Sequence, residues 1–156
     1  MSLERLWAGW RSEYVSSVDA GDGGCVLCRV LEEGSQVVWR DDRTAVVLNA
    51  YPYTSGHLLV MPVDHVAEPE DAPVEVWTTA THAVAALRRA YSPDGINLGA
   101  NLGRSAGAGI PGHFHLHALP RWNGDTNFMT TVAEARVMPE SLPVTLEKVR
   151  AAWEAP

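Results

Sequence analysis

Apolar residues recur along several stretches of the chain at steps of three and four, which predicts helices. The clearest stretch, Pro73–Tyr91, presents one apolar face of a long helix. The same spacing predicts a C-terminal helix over about residues 140–154, and Cys25–Glu33 predicts a short helical segment. The apolar residues of Leu3–Val15 have roughly helical spacing too, so we expect residues 1–24 to form an N-terminal arm that docks on the rest of the chain.

Short runs of β-branched and apolar residues between turn-forming sequences predict strands. Five such runs are present: Gln36–Arg40, Ala45–Leu48, His57–Pro62, Ile96–Gly103 and His113–Pro120. The first two flank Asp41 and Asp42, and we expect them to form a hairpin. No internal repeat or linker divides the chain. The pattern predicts a single α+β domain over residues 1–156, with a mainly antiparallel sheet of about five strands, one long helix and a C-terminal helix.

Composition and charge narrow the classes of function. The chain has 156 residues, of which 46% are hydrophobic and 20% charged, as expected of one water-soluble globular domain. Its net charge of −7 repels a nucleic-acid backbone, so we expect no nucleic-acid duplex as a partner. No segment resembles a membrane span or a secretory signal, and two cysteines are too few for a disulfide scaffold. We therefore expect a cytoplasmic protein with reduced thiols.

Three of the six histidines fall within seven residues, in the last predicted strand. Because successive side chains of a strand point to opposite faces, His113, His115 and His117 share one surface, while Phe114 and Leu116 point into the core. Three adjacent imidazoles repel one another when they are charged and need partners when they are buried. This cost favours a functional role for the row over a structural one.

A glycine-rich segment, Asn101–Gly112, leads directly into this row and contains four glycines. Backbone N–H groups of such a loop can approach a phosphate closely and stabilise its charge. Imidazoles can bind a metal, shuttle protons or attack phosphorus. The loop and the row together favour a site for a phosphoanhydride over a site for a metal alone.

A second cluster begins with Cys25 and Cys28, whose spacing lets both thiolates reach one metal ion. A structural zinc site needs four ligands, and the candidates for the other two are His65 and His113. The alternative is a pair of idle thiols with His65 on the surface. Redox chemistry is disfavoured, because the neighbouring strands are predicted as hairpins and not as a thioredoxin-like βαβ unit.

The sequence His113–Leu119, HFHLHAL, resembles the His-φ-His-φ-His-φ-φ motif of the histidine triad (HIT) family of nucleotide hydrolases and transferases. Residues 48–53 and 56–60 are similar to the nucleoside-binding hairpin of that family. Residues 6–14 and 120–128 resemble its bacterial branch of diadenosine tetraphosphate (Ap4A) hydrolases and phosphorylases. The resemblance covers most of the chain and implies the HIT-like fold, a nucleotide or dinucleoside polyphosphate as substrate, and a homodimer.

The resemblance also implies a role for each site residue. His115 becomes the nucleophile, which attacks the α-phosphorus and forms a nucleotidyl-imidazole intermediate, while His117 and His57 contact the phosphates. The resemblance implies that Asn49 contacts the ribose and that Leu48 and Tyr51 contact the base. The implied phosphate contacts are Asn101, Gly107 and Gly109. In zinc-bearing members of the family, the positions of the metal ligands are occupied here by Cys25, Cys28, His65 and His113.

The expected activity is hydrolysis of dinucleoside polyphosphates such as Ap4A. The phosphorylases of the family carry Gly-Ser where this loop has Ala108-Gly109, so a hydroxyl that could orient an incoming phosphate is absent. One alternative is an Ap4A phosphorylase or ATP adenylyltransferase, which uses phosphate as the acceptor. Another is a non-catalytic, zinc-stabilised nucleotide-binding module. A redox or metal-transfer protein built on the cysteines would leave the glycine-rich loop unexplained.

Overall fold

The computed structural model of the chain describes residues 24–127 and 138–156. Its helices are α1 (Val26–Glu33), α2 (Glu75–Tyr91) and α3 (Leu142–Ala152), and its strands are β1 (Val37–Arg40), β2 (Thr44–Leu48), β3 (Leu58–Pro62), β4 (Gly95–Gly99) and β5 (Leu116–Arg121). The predicted α+β fold is confirmed. The predicted arm at Leu3–Val15 lies outside the described residues, and the extent of the domain over residues 1–156 stays a prediction. No helix among the described residues is long and apolar enough to cross a lipid bilayer.

The five strands form one antiparallel sheet in the order β1-β2-β3-β5-β4. The first three strands follow one another along the chain, whereas β5 inserts between β3 and β4. In this register Leu58 pairs with Ala118 and Leu59 pairs with His117. The start of β3 therefore lies beside His117, although 60 residues separate His57 from it in the sequence.

Each face of the sheet is covered by a different helix. The larger core cluster packs α2 and Val149 of α3 on one face, where Phe114, Leu116 and Ala118 point inward. On the other face Leu27 and Leu31 of α1 cover only the β2–β3 side. The apolar residues of the histidine row thus face α2, as its alternation predicts, and the histidines occupy the opposite face.

Two predicted strands have different bounds in the structure: one begins later than predicted and the other ends earlier. The strand predicted at His113–Pro120 begins only at Leu116, because the N–H of Phe114 donates to the carbonyl of Val66 at 2.7 Å and draws the preceding chain away from β3. The strand predicted at Ile96–Gly103 ends at Gly99, which pairs with His117 as the last rung of the β4–β5 ladder. His113 and His115 therefore lie just before a strand, and the glycine-rich loop is longer than predicted.

Candidate active site and metal site

A tight turn before β3 places the first histidine of the site. Gly56 has a φ of +80°, and a Cβ on this residue would lie 2.7 Å from Cε2 of the Tyr91 ring. Only glycine fits this backbone conformation so close to α2. The turn delivers His57 to the start of β3 with 1% of its surface exposed.

A chain of hydrogen bonds fixes the protons of His57 and His117. The backbone N–H of Tyr53 donates to Nδ1 of His57 at 3.1 Å, so in the neutral ring Nε2 carries the hydrogen. Nε2 of His57 lies 2.9 Å from Nδ1 of His117 and donates to it. The proton of neutral His117 therefore resides on Nε2.

Two neighbouring side chains hold this pair in place. Nδ2 of the Asn49 amide lies 3.3 Å from Nδ1 of His57, and Oδ1 of Asn49 accepts the N–H of Tyr51 at 2.9 Å. The ring centroid of Tyr53 lies 4.7 Å from that of His57 and 6.1 Å from that of His117. Sequence reasoning missed Tyr53. The signal for it was its place in a tight turn four residues before His57, where a backbone N–H must find a partner.

His115 has the opposite arrangement of protons. Its Nδ1 lies 2.7 Å from the carbonyl oxygen of His113 and donates to it, so Nε2 of the neutral ring carries a lone pair. Burial is the largest effect on this ring and lowers its pKa below the ordinary value of 6.5, which favours the neutral form at pH 7. The ring lies 5.0 Å from that of His117. A nucleophilic nitrogen and a hydrogen-bond donor thus sit side by side.

Some backbone N–H groups of the glycine-rich loop already donate hydrogen bonds within the loop. The N–H of Gly107 donates to the carbonyl of Arg104 at 2.9 Å, and the N–H of Ala108 donates to that of Gly103 at 3.2 Å. The Gly107 amide is therefore already engaged and does not point to a ligand. Gly109 follows it in the same loop.

The other residues predicted to contact the nucleotide lie in different surroundings. Asn101 is half-buried in the loop after β4. Leu48 packs into the core cluster beneath α2, whereas Tyr51 is 66% exposed beside Asn49. The structure therefore brings His57, His115, His117 and Asn49 together and leaves Leu48 in the core.

The cation nearest in sequence to the histidine row, Arg121, is engaged elsewhere. Its Nε and Nη2 donate to the two carboxylate oxygens of Asp125 at 2.6 and 2.7 Å, and Nη1 donates to Asn97 at 2.8 Å. The guanidinium holds the pKa of Asp125 well below its usual range. Arg121 thus stabilises the turn after β5.

The four predicted metal ligands form one cluster. Their ligand atoms all lie within 4.8 Å of one another. Nδ1 of His113 is 3.5 Å from Sγ of Cys25 and 3.6 Å from Sγ of Cys28, and Nδ1 of His65 is 3.4 Å from Sγ of Cys28. In a tetrahedral zinc site with ordinary Zn–S and Zn–N lengths, sulfur and nitrogen are separated by about 3.5 Å. The donor set and its spacing fit zinc.

The surroundings of the cluster also suit a cation. Nε2 of His113 donates to the carbonyl oxygen of Pro62 at 3.0 Å, which leaves the lone pair of Nδ1 facing both sulfurs. Burial and the adjacent Cys25 raise the pKa of Cys28 to about 11, so without a cation this thiol keeps its proton at neutral pH. The cluster adjoins the candidate active site, because the His113 carbonyl also binds His115.

Known proteins resemble this chain in sequence and in fold. The HIT domain family matches residues 30–124. The "AP-4-A phosphorylase" of Mycobacterium tuberculosis is 33% identical over 97% of this chain and 85% of its own length. A Zn-bound histidine triad family protein from Mycobacterium smegmatis superposes with a TM-score of 0.66 and 28% identity, over 85% of this chain and 94% of its own. A hypothetical histidine triad nucleotide-binding protein from Sulfolobus tokodaii gives a TM-score of 0.67 and 27% identity, over 82% and 91%.

Proposed function

Because the chain belongs to the HIT domain family, we propose that it hydrolyses dinucleoside polyphosphates such as Ap4A through a nucleotidyl intermediate on His115. The observation that carries this proposal is the pairing of proton states: His115 presents a bare Nε2 beside a His117 that presents an N–H. A binding module has no need of such a nucleophile. The 33% identical relative from M. tuberculosis is an "AP-4-A phosphorylase", which supports the same substrate class.

In the first step, Nε2 of His115 attacks the α-phosphorus of the substrate. A nitrogen–phosphorus bond forms, and the bond from phosphorus to the bridging oxygen breaks, which releases a nucleoside triphosphate from Ap4A. His117 donates a hydrogen bond to the leaving oxygen. Since the second pKa of a phosphate is about 6, this oxygen can leave as an anion. The nucleotidylated ring of His115 becomes cationic, and the carbonyl of His113 stabilises this charge at Nδ1–H.

In the second step, water attacks the same phosphorus. The nitrogen–phosphorus bond breaks, its electron pair returns to Nε2 of His115, and the nucleoside monophosphate leaves with release of a proton to solvent. Phosphate in place of water would yield a nucleoside diphosphate. The Ala108-Gly109 sequence favours water, since no hydroxyl is available there to hold phosphate, and Arg121 is bound to Asp125.

We assign the nucleotide contacts as follows. Asn49 contacts the ribose from beside His57, and Tyr51 contacts the base at the exposed end of the same turn. Asn101 and Gly109 contact the phosphates from the glycine-rich loop, whereas Gly107 shapes that loop through its bond to Arg104.

Zinc would be held by Cys25, Cys28, His65 and His113. Bound there, it would supply structural cross-linking between α1 and the segment that precedes β5. His113 would be fixed as a ligand, and its carbonyl oxygen is the group that orients the His115 ring. The four residues thereby position the nucleophile without contacting the substrate.

The products formed from Ap4A test the proposed reaction. Pure protein incubated with Ap4A in 18O-labelled water should give ATP and labelled AMP, and added phosphate should change the rate little. The loss of one charge-assisted contact of about 1.5–3 kcal/mol biases the intermediate roughly ten- to a hundredfold toward water. Phosphorolysis is the second candidate, favoured by the 33% identical relative. Inactivity until phosphate is supplied, followed by formation of ADP and ATP, would establish it.

Homodimerisation is part of the proposal, because β4 lies at the edge of the sheet and bears Leu98, which is 45% exposed. We expect sedimentation velocity to give twice the chain mass of 16.9 kDa. Leu98→Lys should shift the protein to the monomer, whereas Val144→Lys, at a 48% exposed position of α3, should not. A monomeric wild type would reject the dimer. The cytoplasmic location stays a prediction.

A further inference from the structure

The two cysteines of the metal cluster lie at the start of a helix, in a spacing that permits a second kind of chemistry. Cys25 is the N-cap residue of α1 and has an extended backbone, and Cys28 lies in the first turn of the same helix. Their sulfurs lie within 4.8 Å of each other. An N-cap side chain lies beside the third residue of its helix, so rotation about the side-chain bonds can bring the two sulfurs to bonding distance.

We propose that Cys25 and Cys28 are an oxidation site, at which a peroxide converts the zinc-bound pair to a disulfide and thereby releases the metal. This inference rests on the zinc site proposed above and is independent of the reaction proposed for His115. It concerns a modification of the metal ligands and gives the protein no redox catalysis of its own. Zinc holds both cysteines as thiolates, and the thiolate is the form that reacts with peroxides.

The cluster is open to a small oxidant on one side. His113 is buried, whereas Cys25 and Cys28 are half-buried and His65 is exposed. Nδ1 of His65 lies 3.4 Å from Sγ of Cys28, so the exposed ligand is next to this sulfur. We therefore expect peroxide to reach Cys28 first, with Cys25 as the thiolate that closes the disulfide.

The oxidation proceeds in two displacements at sulfur. The Cys28 sulfur attacks one oxygen of the peroxide, the O–O bond breaks, and the second oxygen leaves as water with a proton from solvent. The Cys25 sulfur then attacks that of Cys28, a sulfur–sulfur bond forms, and the sulfur–oxygen bond breaks to release a second water with another proton from solvent. The two thiolates lose two electrons, and the peroxide is reduced to two water molecules. Because zinc binds thiolates and two histidines do not complete a four-ligand site, the ion leaves.

Loss of zinc unlinks three segments of the chain. Through its four ligands the cluster joins α1, the segment after β3 and the segment before β5. A disulfide between Cys25 and Cys28 closes only a very short loop at the start of α1, so it replaces none of these cross-links. His113 keeps the bond from its Nε2 to the Pro62 carbonyl. We therefore expect oxidation to lower Tm, because a ligand that binds the folded state is lost.

Hydrogen peroxide applied to the zinc-loaded wild type tests the inference. We expect the two free thiols of the chain to be lost as one intramolecular disulfide, with release of one zinc per chain. Tm should fall by about as much as it does with a chelator. A phosphine reductant together with zinc should restore the thiols, the bound metal and Tm, because a disulfide is reversible. After chelator treatment, by contrast, zinc alone should restore Tm.

Cys28→Ser is the control for oxidation elsewhere in the chain. This variant has no zinc to lose and cannot form the disulfide, so peroxide should leave its Tm unchanged. In the wild type, zinc that stays bound under peroxide, or thiols lost as sulfinic acid that the reductant does not restore, would overturn the inference. A wild type purified without zinc would overturn it together with the zinc site, whereas absence of Ap4A turnover would overturn only the proposed reaction.

Discussion

The His115→Asn variant is expected to lose more than about a hundredfold in kcat for Ap4A while still binding it. The asparagine amide has no nucleophilic lone pair comparable to Nε2, and losses of this size are usual for a residue that acts in the chemical step. Binding should survive, because the proposed contacts to ribose, base and phosphates come from other residues. Single-turnover kinetics and calorimetry on the same preparation measure the two quantities.

The control for this prediction is His82→Asn. His82 is half-buried on α2, on the face of the sheet opposite the histidine row, and its Nδ1 bonds to the carbonyl of Glu154, so its replacement should leave kcat unchanged. In the wild type, rapid quenching with labelled Ap4A should trap a nucleotidyl group on His115 that is stable to base and labile to acid. A near-normal kcat in His115→Asn, or a nucleotidyl group on another residue, would contradict the mechanism.

The side chains of His113–Leu119 that face the core could be predicted from the sequence, because the alternation HFHLHAL places apolar residues and histidines on opposite faces. Phe114, Leu116 and Ala118 do pack beneath α2. The contact between His57 and His117 could not be worked out in the same way. It depends on the register of β3 against β5, which is set by tertiary pairing between segments 60 residues apart. For that contact the sequence offered only a family resemblance.

Backbone hydrogen bonds account for most of what the sequence did not predict. The composition of the glycine-rich loop indicated free amides, yet the Gly107 amide closes a turn onto Arg104. The Tyr53 N–H sets the proton state of His57, and its place in a tight turn indicated that it needs a partner but not which one. A cleft lined by Tyr53, Tyr91, Trp122, Glu140 and Lys148 is likewise made by residues from five separate parts of the chain. Patterns of side chains cannot specify such partners.

Removal of zinc is expected to lower Tm by about 10 °C or more. Structural zinc sites bind with apparent free energies of roughly 10–16 kcal/mol at pH 7, and each kcal/mol lost shifts Tm by about 2–4 °C in a domain of this size. Metal analysis of protein purified without chelator should give about one zinc per chain, since the cluster offers four ligands. Scanning calorimetry with and without a strong chelator measures the shift.

Cys28→Ser separates loss of the metal from other effects of a chelator. This variant should lose zinc and melt at a lower temperature, and the chelator should lower its Tm no further, because it has no site left to empty. The folded fraction should keep part of its activity, since the metal ligands only position the His113 carbonyl that binds Nδ1 of His115. A wild type that contains no metal and melts at the same temperature with chelator would reject the site. The spacing of Cys25, Cys28, His65 and His113 would then stem from the fold alone.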